Sequence, residues 1–272
     1  MIYRHTVTIP TVNDFSMTYY ASNTDEKEAP YTFPPHIHDE IELYIHVEGD
    51  ASFMVENELY RLMPGDILFS LPNEIHNCIL NSESVHKHLC FWFYPECSFL
   101  FDKITENTAC GRLVSSDTDR AEILSLCEKL ATPPKSEQDL QTFSLALRLV
   151  ALLDKNLSSN VQHVSRVSLP PVLKEILRDV NEHFAQITTL TYLENKYFIS
   201  QSTLNRLFKK YLHTTPHQYL ETKKLARARA LLKEGKSVFD AYTGAGFSDY
   251  SNFAKLFRKR FNLTPKQYLD LH

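Results

Sequence analysis

The sequence predicts an α+β protein of two domains: an N-terminal β barrel or sandwich with helices behind it, then an all-α domain built from two helix-turn-helix units. Three observations predict this. At 272 residues the chain exceeds the ~100–200 residues of one ordinary domain. Its charge is divided, with 18 Lys+Arg against 9 Asp+Glu in residues 161–272 and 11 against 24 in residues 1–160, which hides a basic half behind a net charge of −4. Finally, STLNRLFKKYLHTTPHQYL at 202–220 realigns on SNFAKLFRKRFNLTPKQYL at 251–269 with an offset of 49 and nine of nineteen positions identical, so one helical unit is used twice.

The acidic half comes first in the chain. ELYIHV, SFMVEN, ELYRLM, DILFSL and KHLCFWFY read as short strands separated by Glu48-Gly49-Asp50, Glu56-Asn57-Glu58 and Pro64-Gly65-Asp66, which places a barrel core at about 31–94. Two helices follow, about 117–131 and 137–157, parted by ATPPKS. The second is apolar over more than one face, with Leu140, Phe143, Leu147, Val150 and Leu153 on one stripe and Leu145, Leu149 and Leu152 beside it. One face can cover the barrel and another a second copy of the chain. These elements make a domain of 1–157, and the polar then Pro-rich stretch 158–171 reads as a linker.

The basic half, 172–272, divides by caps and breakers into short helices. Residues 172–185 form an amphipathic helix, and 189–197 follows a Thr cap. Ser200 caps a helix to Leu212. Thr215-Pro216 opens a long helix that stops at Gly235, because proline suits the first helical position and glycine the position after the last. Ser237 restarts the chain, Gly246-Phe247-Ser248 turns it, Asp249 begins a helix to Phe261, and Thr264-Pro265 begins the last one. In each repeat the apolar residues fall at helical spacing on one side. The free side carries Ser202, Asn205, Arg206 and Lys209, or Ser251, Ala254, Lys255 and Arg258, with Lys210, Lys259 and Arg260 nearby. Small, hydrogen-bonding and cationic side chains suit the major groove of B-DNA, and two such helices on a rigid connector can enter successive grooves.

One constellation stands out in the acidic half. His36 and His38 precede Glu42 and Gly49 in an H-x-H-x(3)-E-x(6)-G spacing, and PGDILFSLPNEIH later supplies His76. Imidazoles and a carboxylate suit first-row divalent metals, and equally suit hydrogen bonding to a small effector or to one another. Tyr44 and His46 continue the parity of Glu42, while Leu43, Ile45 and Val47 are the apolar alternates. The polar parity either lines a pocket or faces water. His86, His88 and Trp92 read as core or rim.

The five cysteines, Cys78, Cys90, Cys97, Cys110 and Cys127, are odd in number and show neither CxxC spacing nor a disulfide framework. No run of about 18 apolar residues and no signal-peptide core are present, so a cytoplasmic protein without membrane partners is expected.

ISQSTLNRLFKKYLHTTPHQYL, KKLARARALL and GFSDYSNFAKLFRKRFNLTPKQYL resemble the AraC/XylS family of transcription regulators over about 100 residues. The resemblance implies base-facing roles for Ser202, Asn205, Arg206, Tyr250, Ser251, Asn252 and Lys255, and phosphate contacts for Lys209, Lys210, Arg258 and Lys259. Glu194 and Tyr242 stand where the family often has Ala, and Ala241 and Ala245 where it has larger aliphatics. Lys255 replaces a common Arg, giving a point donor in place of a fork.

The histidine region resembles the cupin family, a small jelly roll, whose matching residues His36, His38, Glu42 and His76 ligate a divalent ion. Glu74 departs from that pattern, standing in place of a glycine, and the gap to His76 is one residue short. The combined resemblance implies a jelly-roll sensor with an effector site at His36, His38, Glu42, Tyr44 and His76, a helical dimerisation segment, and a double-stranded DNA target. It further implies a homodimer, RNA polymerase as a partner, and activation in response to a small molecule such as a sugar. No enzyme motif beyond the histidine set is present, so the expectation is a regulator that is not an enzyme. The alternative is a cupin metalloenzyme carrying a DNA-binding domain.

Overall fold

The computed structural model describes residues 2–8, 16–28, 35–93, 113–114, 116–132, 140–158 and 167–271. The chain divides into two compact units, one of residues 1–33, 38–74 and 78–167, the other of 168–272 together with the short segments 34–37 and 75–77. Cys97, Cys110, the ATPPKS spacer after its first two residues, and most of the expected linker lie outside the described residues.

The first unit contains strands β1 (Ile2–Thr8), β2 (Ser16–Glu28), β3 (Ile41–Glu48), β4 (Ala51–Val55), β5 (Glu58–Arg61), β6 (Ile67–Ser70), β7 (His76–Leu80), β8 (Ser84–Phe93) and β9 (Leu113–Val114). They form a six-stranded sheet in the order β1-β2-β8-β3-β6-β9 and a three-stranded sheet β5-β4-β7. The five expected strands are present. The sheet also extends beyond the expected 31–94 core, because β2 pairs onto β8 and β1 onto β2 through main-chain bonds that need no particular side-chain pattern. β7 is a further strand that hydropathy alone does not mark. Gly49 is required where it stands: its φ is +114°, and a Cβ there would meet the Val85 carbonyl oxygen at 2.4 Å.

Two cores flank the larger sheet. Tyr44, Leu68 and Cys90 meet Phe53, Tyr60 and Leu80 between the sheets. On the other side Leu43, Ile45, Phe69 and Phe91 meet helices α1 (Arg120–Leu130) and α2 (Leu140–Ser158) through Ile123, Leu130, Leu149 and Leu153. Both parities of β3 are therefore buried. The helices shield the apolar alternates, so the polar parity of Glu42, Tyr44 and His46 faces inward and not toward water.

α2 splits the expected stripe of Leu140, Phe143, Leu147, Val150 and Leu153. Phe143, Val150 and Leu153 are buried with Leu149 and Leu152, whereas Leu140 is 73% and Leu147 38% exposed. The last two lie at i and i+7 on the side turned away from the sheet.

The second unit is helical: α3 (Pro171–His183), α4 (Thr191–Tyr197), α5 (Gln201–Leu212), α6 (Pro216–Lys233), α7 (Val238–Gly244), α8 (Tyr250–Phe261) and α9 (Pro265–Leu271). Ser200, Thr215, Ser237 and Asp249 each accept a bond from the backbone N–H three residues on, and Thr215 with Gln218 completes a capping box. The Thr cap expected before α4 is absent. That helix starts at Thr191 after Leu190, which makes no side-chain cap. Of the departures at Ala241, Tyr242 and Ala245, the two alanines are buried, and the half-buried Tyr242 ring packs against the same core, stacked on Phe253 at 5.8 Å between centroids.

Candidate functional site

Two surfaces carry the chemistry, one in each unit. In the helical unit, α4–α5 and α7–α8 form two helix-turn-helix pairs with α6 between them. α5 buries Leu204, Phe208 and Leu212, and α8 buries Phe253 and Phe257. Burial of these apolar faces turns the opposite faces outward. Ser202, Arg206, Lys209 and Lys210 are exposed and Asn205 half-buried on α5. Tyr250, Ser251, Asn252, Lys255, Arg258 and Lys259 are all exposed on α8. Ten of the eleven expected DNA contacts are thus exposed and Asn205 is half-buried, while Arg260 is half-buried too, and burial, followed by the neighbouring Arg229, lowers its pKa. Some of these groups already have local partners: Ser202 Oγ lies 2.8 Å from Ser200 Oγ, and Lys210 Nζ rests 5.1 Å from the Tyr211 ring. A cavity of ≈ 390 Å³ between the two pairs is lined by Gln201 and Asn252 from the starts of α5 and α8.

In the N-terminal half, the four residues of the histidine set come together, although His36 and His38 precede β3 and do not share a strand with Glu42 as a period of two would require. The backbones of His36 and His76 bond to each other in both directions at 3.1 Å, and their rings meet at 4.3 Å. His38 Nε2 lies 3.0 Å from Glu42 Oε2. One ligand atom from each of His36, His38, Glu42 and His76 falls within 4.8 Å of the other three. Glu42 and His76 are buried, and His36 and His38 are half-buried, so the group opens on its histidine side.

The donor set fits a divalent first-row ion. His38 Nδ1 donates to the Glu40 carbonyl at 3.0 Å in the tautomer that leaves Nε2 to ligate, and such an outer partner is what a metal-binding imidazole requires. Trp92, which reads from the sequence as core or rim, lies against this group. Its Nε1 donates to Glu42 Oε2 at 2.8 Å, and it sits directly opposite Glu42 in the β3–β8 register. The signal was available, because Trp92 shares strand parity with the inward-facing Cys90.

Tyr44, the fifth effector candidate, makes its side-chain contacts with other residues. Its hydroxyl is 3.2 Å from His86 Nε2 and 3.5 Å from Cys78 Sγ, and burial followed by Cys78 raises its pKa well above that of free tyrosine. His86 and His88 belong to this inner cluster with His46. Burial pushes His86 down to about 4 and His88 to about 3, while His46 is lowered by burial against the opposing pull of the Gly49 carbonyl it contacts at 3.0 Å. The larger of the two described cavities, ≈ 560 Å³, lies elsewhere, on the outer face of the sheet between Val47, Leu89, Leu124 and Cys127.

No helix among the described residues is long and apolar enough to cross a membrane.

Comparison with known proteins bears on both units. A family model for an AraC-like ligand binding domain matches residues 25–150, and one for a helix-turn-helix domain matches residues 193–270. An uncharacterised HTH-type transcriptional regulator, YbfI of Bacillus subtilis, is 33% identical over 119 residues, 43% of this chain and 43% of that protein. The HTH-type transcriptional activator RhaS of Escherichia fergusonii is 27% identical over 140 residues, 50% of this chain and 46% of that protein. The chain thus spans under half the length of these curated relatives. Among solved structures, ToxT from Vibrio cholerae aligns over 94% of this chain and 97% of its own at 12% identity, with a TM-score of 0.38. With an AraC-like ligand-binding domain ahead of a helix-turn-helix domain, the chain belongs to the AraC family of transcription regulators.

Proposed function

We infer that the protein is a cytoplasmic, sequence-specific DNA-binding regulator whose sheet-rich domain binds a small molecule and thereby alters how its two reading helices engage a promoter. The observation that carries this is the duplicated helix: α5 and α8 share caps, buried faces and an outward row of hydrogen-bonding and cationic side chains. Ser202, Asn205, Arg206, Tyr250, Ser251, Asn252 and Lys255 read bases in this proposal. Lys209, Lys210, Arg258 and Lys259 hold phosphates, which add affinity and salt dependence but no sequence information.

The effector site is the group His36, His38, Glu42 and His76, with Tyr44 behind it. A divalent metal held by the first four would supply a fixed positive charge there, and the protein's part is to orient them through Glu40 and Trp92. The effector acts only through its different affinity for the DNA-competent and incompetent arrangements, for which ~1–3 kcal/mol of coupling is ordinary. Activation is the favoured direction, since RhaS is named an activator, and a sugar is the favoured effector class. A homodimer through the exposed side of α2 and contact with RNA polymerase complete the reading. The four-residue metal set also supports a second reading, a metalloenzyme with a DNA-binding domain.

Sequencing the DNA selected from a random pool by the purified protein tests the first reading. Enrichment of a bipartite site supports it, and recovery of unselected sequence removes it. His38→Ala should abolish the effector response and leave operator affinity without effector within a few fold.

A further inference from the structure

Lys224 lies in the middle of α6 and is only 7% exposed, an uncommon position for a lysine. Its ammonium donates to two main-chain carbonyls, Ile187 and Gly246, each at 2.8 Å. Ile187 belongs to the segment that leads into the first helix-turn-helix. Gly246 is the turn of the second. The two segments also meet directly: Gly246 has φ +83°, and a Cβ on it would fall 2.1 Å from the Ala185 carbonyl oxygen and 2.6 Å from the Ala185 Cα. No side chain could stand between these backbones. The Phe247 ring lies 5.9 Å from the ammonium, and burial lowers the Lys224 pKa, as expected of a cation held for its donors.

On the reading that this unit binds DNA, we propose that Lys224 is a positioning residue that sets the spacing and angle of the two reading helices. One cation ties both units to the connecting helix, and the glycine turn removes the gap between them. The helix alone would fix only the distance along its axis. The pair of carbonyl bonds, one to each unit, also fixes their rotation about that axis, so the protein measures the separation of its two half-sites.

The test is operator binding with one base pair inserted or deleted between the half-sites, a change that rotates one half-site by about 35° around the duplex. Wild type should lose about thirtyfold in affinity on either change, comparable with one or two mismatched base pairs. Lys224→Met, which keeps the stem but loses the donors, should shrink that penalty to within about threefold while affinity for random DNA stays within twofold. Lys224→Arg, with donors restored, should retain most of the penalty. A folded Lys224→Met protein with the full wild-type penalty overturns the proposal. So does a wild type that binds its operator yet tolerates the inserted base pair within threefold, a result that needs no variant to fold. Failure of wild type to bind any specific DNA would be a different outcome, sinking the DNA-reading function itself and this inference with it.

Discussion

Trp92 and Glu42 face each other across β3 and β8, and the indole Nε1 donates to Glu42 Oε2 at 2.8 Å, the same oxygen that His38 Nε2 approaches at 3.0 Å. The buried carboxylate is thereby held in one orientation, facing His38 and its companions, by a rigid donor that has no charge of its own. Because Trp92 is the chain's single tryptophan, its fluorescence reports on this site alone.

Titrating the protein with Mn²⁺ or Zn²⁺ should change Trp92 emission saturably, and His76→Ala should abolish the change. Trp92→Phe should cost about 1–3 kcal/mol of stability in urea, since it removes a donor from a buried carboxylate. An unfolding midpoint equal to wild type would show that water replaces the indole without loss.

Acid should weaken the sheet-rich unit well before its carboxylates titrate. The pKa values of His46, His86 and His88 are lowered in the folded state, to about 4 for His86 and about 3 for His88, against 6.5 when unfolded. Above pH 6.5 both states are neutral and nothing is lost. As pH falls from 6.5 toward 4 the unfolded chain takes up protons that the folded cluster refuses, so stability drops by at most about 1.4 kcal/mol per pH unit for each histidine. Thermal melts at pH 7, 6, 5 and 4.5 should show this decline, and His86→Phe should flatten it. A melting temperature constant from pH 7 to 4.5 would contradict the buried neutral cluster.

Arg206 and Lys210 should differ in kind. Arg206→Ala should cost about 1–3 kcal/mol on the selected operator and relax preference at one or two base pairs, with little loss on random DNA. Lys210→Ala should weaken both alike and lower the salt slope by about 0.9 per phosphate contact. Competition binding at several salt concentrations separates the two. If Arg206→Ala changed only the salt slope, α5 would be a backbone clamp and reading would rest on α8.

Leu147→Glu tests the outward side of α2. With Leu147 38% and Leu140 73% exposed in a single copy, the substitution should leave the unfolding midpoint close to wild type. In a dimer joined through this face it would bury a carboxylate and push the protein to monomer, at a cost of several kcal/mol. Sedimentation velocity at micromolar concentration measures it, and a monomeric wild type would remove the interface.

Much of this protein is written locally in its chain. The helices of the second unit were legible because caps such as Ser200, Thr215 with Gln218, Ser237 and Asp249 act within four residues, and because burial of Phe208 and Phe257 forces the opposite faces outward. The histidine set was legible in part, since His36, His38 and Glu42 lie within seven residues, but His36 and His38 precede β3 and are brought to Glu42 by the turn into that strand and by the bridge from His36 to His76. Contacts made across the fold were not. Trp92 is fifty residues from Glu42, and only the antiparallel register brings them together. The inward direction of Tyr44 and His46 depended on α1 and α2 covering the other side of the sheet, so that the interior was the remaining place for a polar row. Lys224 resembled any other cation on a basic helix until the tertiary structure placed carbonyls from two distant turns against its ammonium, because a main-chain acceptor leaves no mark in the sequence.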